Sequence, residues 1–510
     1  MNPISRIVAS LAFIAALPDH AVAEIRMPAM FSDNAILQRG MEVPVWGWAK
    51  PEATVQVRIF DQAKETTAGK DGRWSVKLSP MEASKKPAVM TITDGEGKME
   101  VKNILVGEVW LCSGQSNMEW SVAGSVIPDF INPDVSMIRG IRVPPVRADQ
   151  PVDDFKGNWT VGSPKTFRSY AGAAFFFAYH LHEQLGVPVG IINTSWGGLP
   201  IEPYIPPEGF AQVKEIDVAK IKYTAFPYWS KNGPSTSYFG MICGVKPYGI
   251  RGALWYQAES NGNEGDSYVH KMRALVGGWR EVWKQGDFPV YFVQLPNYKE
   301  HRANVWGAMI VLPPNNDPKG GDGWARIREA QGKVPSRIRN TGMAITIDIG
   351  EGANIHPQNK YDVGRRLALW ALARDYGRKD LVHSGPLYKS MKVTGNKIEL
   401  SFDHVGGGLM AAKKPSPRSF EMPAPVDKLD GFAIAGADQK WHWAGAIIKD
   451  DKVLVSSPDV EKPVAVRYAF SGNPVRASLY NREGLPAAPF RTDTWKFLRY
   501  SDHTLSKIVD

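Results

Sequence analysis

Apolar and polar positions alternate with period two through much of residues 24–104. The pattern is clear in Val43-Pro44-Val45-Trp46-Gly47, Thr54-Val55-Gln56-Val57-Arg58-Ile59-Phe60 and Ala88-Val89-Met90-Thr91-Ile92-Thr93. The turn signals Asp71-Gly72 and Asp94-Gly95 break these runs, which together predict a small β-sandwich. From about 105 the rhythm changes. Short apolar runs alternate with helical stretches over 171–185, 268–284, 324–333 and 360–376. In the last stretch Val363, Leu367 and Trp370 share one helix face. Strand–helix alternation predicts an α/β region with a mostly parallel sheet and helices on both faces. After 385 the chain returns to short strands, among them Lys397-Ile398-Glu399-Leu400-Ser401-Phe402 and Lys452-Val453-Leu454-Val455. The expected division is a leader (1–23), an N-terminal β-rich domain (24–104), a catalytic-type α/β domain (105–385) and a C-terminal β-rich region (386–510).

Within the α/β region, four β-prone runs end in chemically rich segments. Ile104 to Trp110 leads into Leu111-Cys112-Ser113-Gly114-Gln115-Ser116-Asn117-Met118, read as the turn leaving a strand. Val187 to Ile192 leads into Asn193-Thr194-Ser195-Trp196-Gly197-Gly198, and Ile250 to Leu254 into Trp255-Tyr256-Gln257-Ala258-Glu259-Ser260-Asn261. Met343 to Ile347 leads into Asp348-Ile349-Gly350-Glu351-Gly352-Ala353-Asn354-Ile355-His356-Pro357. Loops at one end of a parallel sheet converge on one crevice. Together they supply a serine, a histidine, acids, amides and glycine N–H groups, the set that acyl transfer requires.

Ser116 is the candidate nucleophile, because Gly114 permits a sharp turn and the following N–H groups can face a developing oxyanion. His356 is the candidate base, with Pro357 expected in the first turn of the helix after it. The acid that orients it is Asp348, Glu351 or neither; Asp348, at the strand end, is preferred. The oxyanion hole is assigned to the N–H groups of Ser116 and Gly197 and the amide of Gln257, with Gly198 and Asn261 as alternatives. Trp196, Glu259 and Asn261 are assigned to substrate binding, with Glu259 also suited to bracing its loop. Trp120, Trp306 and Trp324 accompany Trp196 in or beside the rim loops, where flat rings suit sugar faces.

Gly114-Gln115-Ser116-Asn117-Met118, the Trp-Tyr-Gln-x-Glu-Ser-Asn stretch and Ile355-His356-Pro357 resemble the sialate O-acetylesterase family. That family belongs to the SGNH hydrolases and includes acetylesterases acting on plant hemicellulose. The resemblance extends to Trp324-Ala325-Arg326-Ile327-Arg328-Glu329-Ala330-Gln331 and Ser478-Leu479-Tyr480-Asn481, most of the mature chain. It implies an SGNH-hydrolase-like (flavodoxin-like) sheet flanked by β-sandwich-like regions. It also implies a serine esterase that removes O-acetyl groups from carbohydrate through an acetyl-enzyme, without a cofactor. Ala258 stands where the family usually has glycine, and Ala353 where the superfamily often has aspartate. The alternative is a carbohydrate-binding protein with a decayed hydrolase core.

Composition narrows the choice. The net charge is +9, but basic residues are scattered among acids, so no nucleic-acid partner is expected. Arg6, the apolar run 7–17 and Ala21-Val22-Ala23 read as a secretory leader, hence a periplasmic or secreted protein with no membrane span. The two cysteines, Cys112 and Cys243, permit a single bridge that sequence alone does not establish. The 10 histidines include no His-Glu-x-x-His, and no metal is expected. The expected partner is an acetylated glycan; the sequence leaves its sugar and the oligomeric state open.

Overall fold

A computed structural model describes residues 25–132, 134–221, 233–262, 264–298, 302–305, 308–311 and 317–496. The expected leader, 1–23, and Trp306 lie outside these residues. We number the strands of the central sheet β1 (Lys98–Gly114), β2 (Ile138–Arg142), β3 (Thr160–Val161), β4 (Val189–Asn193), β5 (Gly252–Tyr256), β6 (Val290–Val293) and β7 (Thr341–Ala344). Their order is β7-β6-β5-β1-β4-β2-β3. Neighbours pair in parallel except β3, which runs antiparallel to β2 at the edge. From β1 the chain builds β2 and β4 on one side, then crosses to β5, β6 and β7 on the other. The carboxyl end of β1 is therefore the topological switch point, where such sheets bind ligands.

The helices are α1 (Ser116–Glu119), α2 (Gly172–Leu185), α3 (Ser267–Trp283), α4 (Gly323–Arg337) and α5 (Lys360–Arg374). Strand periodicity places them on both faces. Trp110 of β1 packs on Phe177 of α2 at 4.9 Å between ring centres. Trp255 is in register with Ser113, three residues from Trp110 and so on the opposite face, and meets Trp279 of α3 at 5.7 Å. Val363, Leu367 and Trp370 of α5 are buried, as their spacing predicts.

Three local expectations are corrected. Leu111 to Gly114 continue β1 rather than leave it, since each pairs with β5 and two also pair with β4. Ser113 is admitted to this buried stretch because its hydroxyl donates to the Thr194 carbonyl at 3.4 Å. Ile138–Arg142, within residues 119–165, whose many Pro, Gly and aromatic residues predict a long irregular segment, is a parallel strand, its Arg139 guanidinium buried against the carbonyls of Asn34 and Asn103. Helix α5 begins at Lys360, after the Asn359 cap, so Pro357 precedes the helix.

The flanking regions attach differently. β1 is one strand shared by two sheets: its first half pairs antiparallel with Ser84–Thr93, and Leu105 to Gly107 pair parallel with Ile36–Gln38. The boundary expected at 104/105 thus falls inside a strand, and one hydrophobic core runs from Ile25 to Leu372 and takes in Ala488 of the C-terminal region. The C-terminal region has a core of its own, from Ile398 to Phe490. It docks through polar anchors. Arg328 of α4 is fully buried and donates to the carbonyls of Ser471 (2.8 Å) and Gly472 (2.7 Å). Cys112 and Cys243 are buried and unpaired. Among the described residues no helix is long and apolar enough to cross a membrane, and no group of His, Cys, Asp and Glu is arranged to hold a metal ion.

Candidate active site

The turn that carries Ser116 is built by backbone geometry. Gly114 has φ +138°, and a Cβ there would sit 2.1 Å from the Tyr256 carbonyl oxygen on β5. Only glycine allows β1 to end this close to its neighbour. The Gln115 N–H then donates to that same carbonyl (3.0 Å), while Trp196 N–H (3.1 Å) and Tyr204 hydroxyl (2.8 Å) donate to the Gly114 carbonyl. Ser116 follows as the first residue of α1, half-buried.

Asn117, fully buried, joins this turn to the histidine loop. Its Nδ2 donates to the Ile355 carbonyl at 2.8 Å and to Glu259 Oε1 at 2.5 Å. Its Oδ1 accepts from Lys360 Nζ, a buried ammonium 5.0 Å from the centre of the Tyr256 ring. The His356 ring lies flat on Trp120, 4.7 Å between centres at 14°. Trp120 is itself anchored, its N–H to the Ser116 carbonyl (2.8 Å) and its indole N–H to Gly124 (2.7 Å). Asn354 holds the His356 backbone from both sides, accepting its N–H (3.0 Å) and donating to its carbonyl (2.9 Å). Burial, aided by the Lys360 charge, pushes the His356 pKa down to about 4. Burial also lowers Lys360 to about 7 and raises Glu259.

The structure reassigns several side chains. Asp348 does not orient His356. Both its oxygens are taken by Arg366 of α5, at 2.6 and 2.7 Å, in a buried bidentate pair. Glu351 faces Arg418 (2.6 Å) and the Gln358 N–H (2.9 Å). Among the described residues no carboxylate hydrogen-bonds the His356 ring. Gly197 stands beside Ser116, its would-be Cβ 3.5 Å from Ser116 Cβ, but its N–H is occupied by Glu119 Oε2 at 2.8 Å. Glu119 also pairs with Arg142. Gln257 does not face the crevice: its amide donates to Gln115 (3.0 Å) and Asn261 (2.7 Å) and accepts from the Tyr268 hydroxyl (2.8 Å). Asn261, assigned to substrate binding, is buried and braces Ile201 N–H (3.1 Å) and Glu264 (2.8 Å). Glu259 is bound to Asn117 beneath the turn. Trp196 remains half-buried at the rim, whereas Trp324 is buried on Tyr298. Ala258 adopts φ +138°, a conformation that favours the glycine usual there.

Asn117, Trp120 and Lys360 thus do more than the sequence reading gave them. The signal for Lys360 was a lysine at the first position of a helix, where the macrodipole disfavours a cation.

Comparison with known proteins agrees with this architecture. A family model described as carbohydrate esterase, sialic acid-specific acetylesterase, matches residues 106–368. The sialate O-acetylesterase of Homo sapiens is 30% identical over 91% of this chain and 92% of its own. That of Mus musculus is 26% identical over 96% and 98%. The crystal structure of a carbohydrate acetylesterase from Xanthomonas citri superposes with a TM-score of 0.79 at 34% identity, covering 92% of this chain and all of its own. Fold and matches together define an esterase. The chain belongs to the sialic acid-specific acetylesterase family of carbohydrate esterases.

Proposed function

We propose that this protein is a serine esterase that removes O-acetyl groups from glycans through a Ser116–His356 dyad. The observation that carries the reading is the join between turn and loop: Asn117 on the Ile355 carbonyl and Trp120 stacked on His356. Ser116 Oγ attacks the acetyl carbonyl carbon while the His356 ring takes its proton. The N–H of Ser116 and, in place of the occupied Gly197, that of Gly198 receive the oxyanion. Collapse breaks the bond to the sugar oxygen, which leaves as a hydroxyl with the proton from His356. Water then attacks the acetyl-enzyme, again deprotonated by His356, and frees acetate and Ser116.

The depressed His356 pKa keeps the ring unprotonated at neutral pH, and the loop's backbone and the Trp120 face hold it where a triad would use a carboxylate. The substrate class, acetylated sialic acid or a hemicellulose-type glycan, is carried by the relatives and by the rim residue Trp196. The leader pattern over 1–23 supports action in the periplasm or outside the cell.

The test is Ser116→Ala. Acetate release from phenyl acetate should fall at least about a thousandfold with an unchanged melting temperature. Unchanged turnover in the folded variant would move the chemistry elsewhere.

A further inference from the structure

An open space lies against the histidine loop, between that loop and the C-terminal region. It is a cavity of about 590 Å³. Ligand-binding clefts fall in the range of about 300–1,000 Å³, so it has room for more than one sugar unit. Its near wall is the turn Glu351-Gly352-Ala353, which ends three residues before His356. Its far wall is C-terminal: Lys413, Arg418, Asn473 and Val475.

Three features suit this space to a hydroxyl-rich chain. The lining alternates charged and amide groups with short apolar surface. Arg418 bonds Glu351 across it, so the far wall is fixed to the catalytic loop. Asn473 reaches the loop as well, its Nδ2 lying 2.5 Å from where a Gly352 Cβ would be, so only glycine fits between them. Some lining groups are uncommitted. Asn297 Oδ1 is buried with no hydrogen-bond partner, and Lys413 is exposed. A buried carbonyl oxygen without a donor is costly, and a ligand hydroxyl would supply one.

We infer that this cavity is a glycan subsite, receiving sugar units next to the acetylated one, so that the substrate is an acetylated oligosaccharide rather than a free monosaccharide. The inference rests on the esterase reading above. It also gives the C-terminal region a role: it forms the second wall of the substrate cleft.

The test measures kcat/KM on three esters: phenyl acetate, an acetylated monosaccharide and an acetylated oligosaccharide of the same sugar. The intact chain should favour the oligosaccharide over the monosaccharide at least about tenfold, mainly through KM. Lys413→Ala and Val475→Trp, at exposed positions, should reduce that preference at least about fivefold, with folding checked by melting temperature. An intact chain with equal kcat/KM on both sugars would overturn the subsite, as would folded variants that keep the full preference. Failure to release acetate from any of the three would instead overturn the esterase reading.

Discussion

Residues 114–119 and residues 348–356 meet over the same strand ends, yet different forces hold them. The Ser116 turn is fixed by sterics and backbone: a glycine with no room for Cβ, the Gln115 N–H donated to the Tyr256 carbonyl on β5, and a buried asparagine. The histidine loop is rich in charge, but its carboxylates point away from the imidazole, Asp348 to Arg366 and Glu351 to Arg418. Its acids anchor the loop to α5 and to the C-terminal region, while His356 is held by a ring face and by an amide side chain on its backbone. The lesson is that a carboxylate near a catalytic histidine in sequence has first to be released from nearer cations before it can serve as a triad member.

The largest effect should come from breaking the turn. Gly114→Ala puts a methyl group 2.1 Å from the Tyr256 oxygen at positive φ. We expect a loss of at least about 4 kcal/mol, seen as failure to accumulate folded protein or a collapse of the denaturation midpoint. A well-folded Gly114→Ala chain would show that the turn is not sterically fixed.

Next comes the anchor of the histidine loop. Asp348→Asn leaves Arg366 buried without its counter-charge, and breaking such a pair costs about 3–5 kcal/mol. The comparison predicts a large fall in denaturant midpoint, with residual turnover per folded molecule. A stable variant with turnover lost would restore Asp348 to the triad. Glu351→Gln, at a half-exposed pair, should cost about 1 kcal/mol or less.

Trp120→Ala removes the face on which the imidazole lies. If His356 is the base, it should lower kcat about ten- to a hundredfold with a smaller change in KM, because the proposed base is misplaced while the proposed sugar contacts remain. Equal losses in both parameters would make Trp120 a substrate contact instead.

The smallest effect concerns pH. A histidine base works only when neutral, so its protonation on acidification sets the acid limb of kcat/KM. With His356 lowered to about 4, activity should persist well below the ordinary histidine value of 6.5. Lys360 is protonated across that range and opposes a second positive charge. Lys360→Gln should therefore move the limb upward. A limb near 6.5 in the unaltered chain would show that burial does not depress this histidine.

Much of this architecture was legible from local pattern. Apolar runs ending in Ser116, Gly197, Gln257 and His356 mark strand ends, and α5 was visible from Val363, Leu367 and Trp370. What stayed hidden depends on partners distant in sequence. Nothing around Asp348 announces Arg366 on a helix one turn and a half inside its start, and nothing around Gly197 announces Glu119. Strand β2 escaped because Ile138-Arg139-Gly140-Ile141-Arg142 carries two arginines, one of which is buried only because Asn34 and Asn103 bring carbonyls to it. The second sheet neighbour that hides Cys112 to Gly114 lies far along the chain, so the strand appeared to end early.

The 17-residue strand β1 also sets an order of events during synthesis. Its first half has all its partners ahead of it in the chain, Ile36–Gln38 and Ser84–Thr93. Its second half waits with both edges bare until Val189–Asn193 and then Gly252–Tyr256 are made. Pairing across such separations is slow, and unpaired apolar edges invite association with other chains. In a chain that folds from its N-terminus, the N-terminal sheet can therefore form while the stretch Glu108 to Gly114 still lacks its partners. That stage is where a chaperone that shields extended apolar segments would act, and where crowded expression would divert the chain into aggregates.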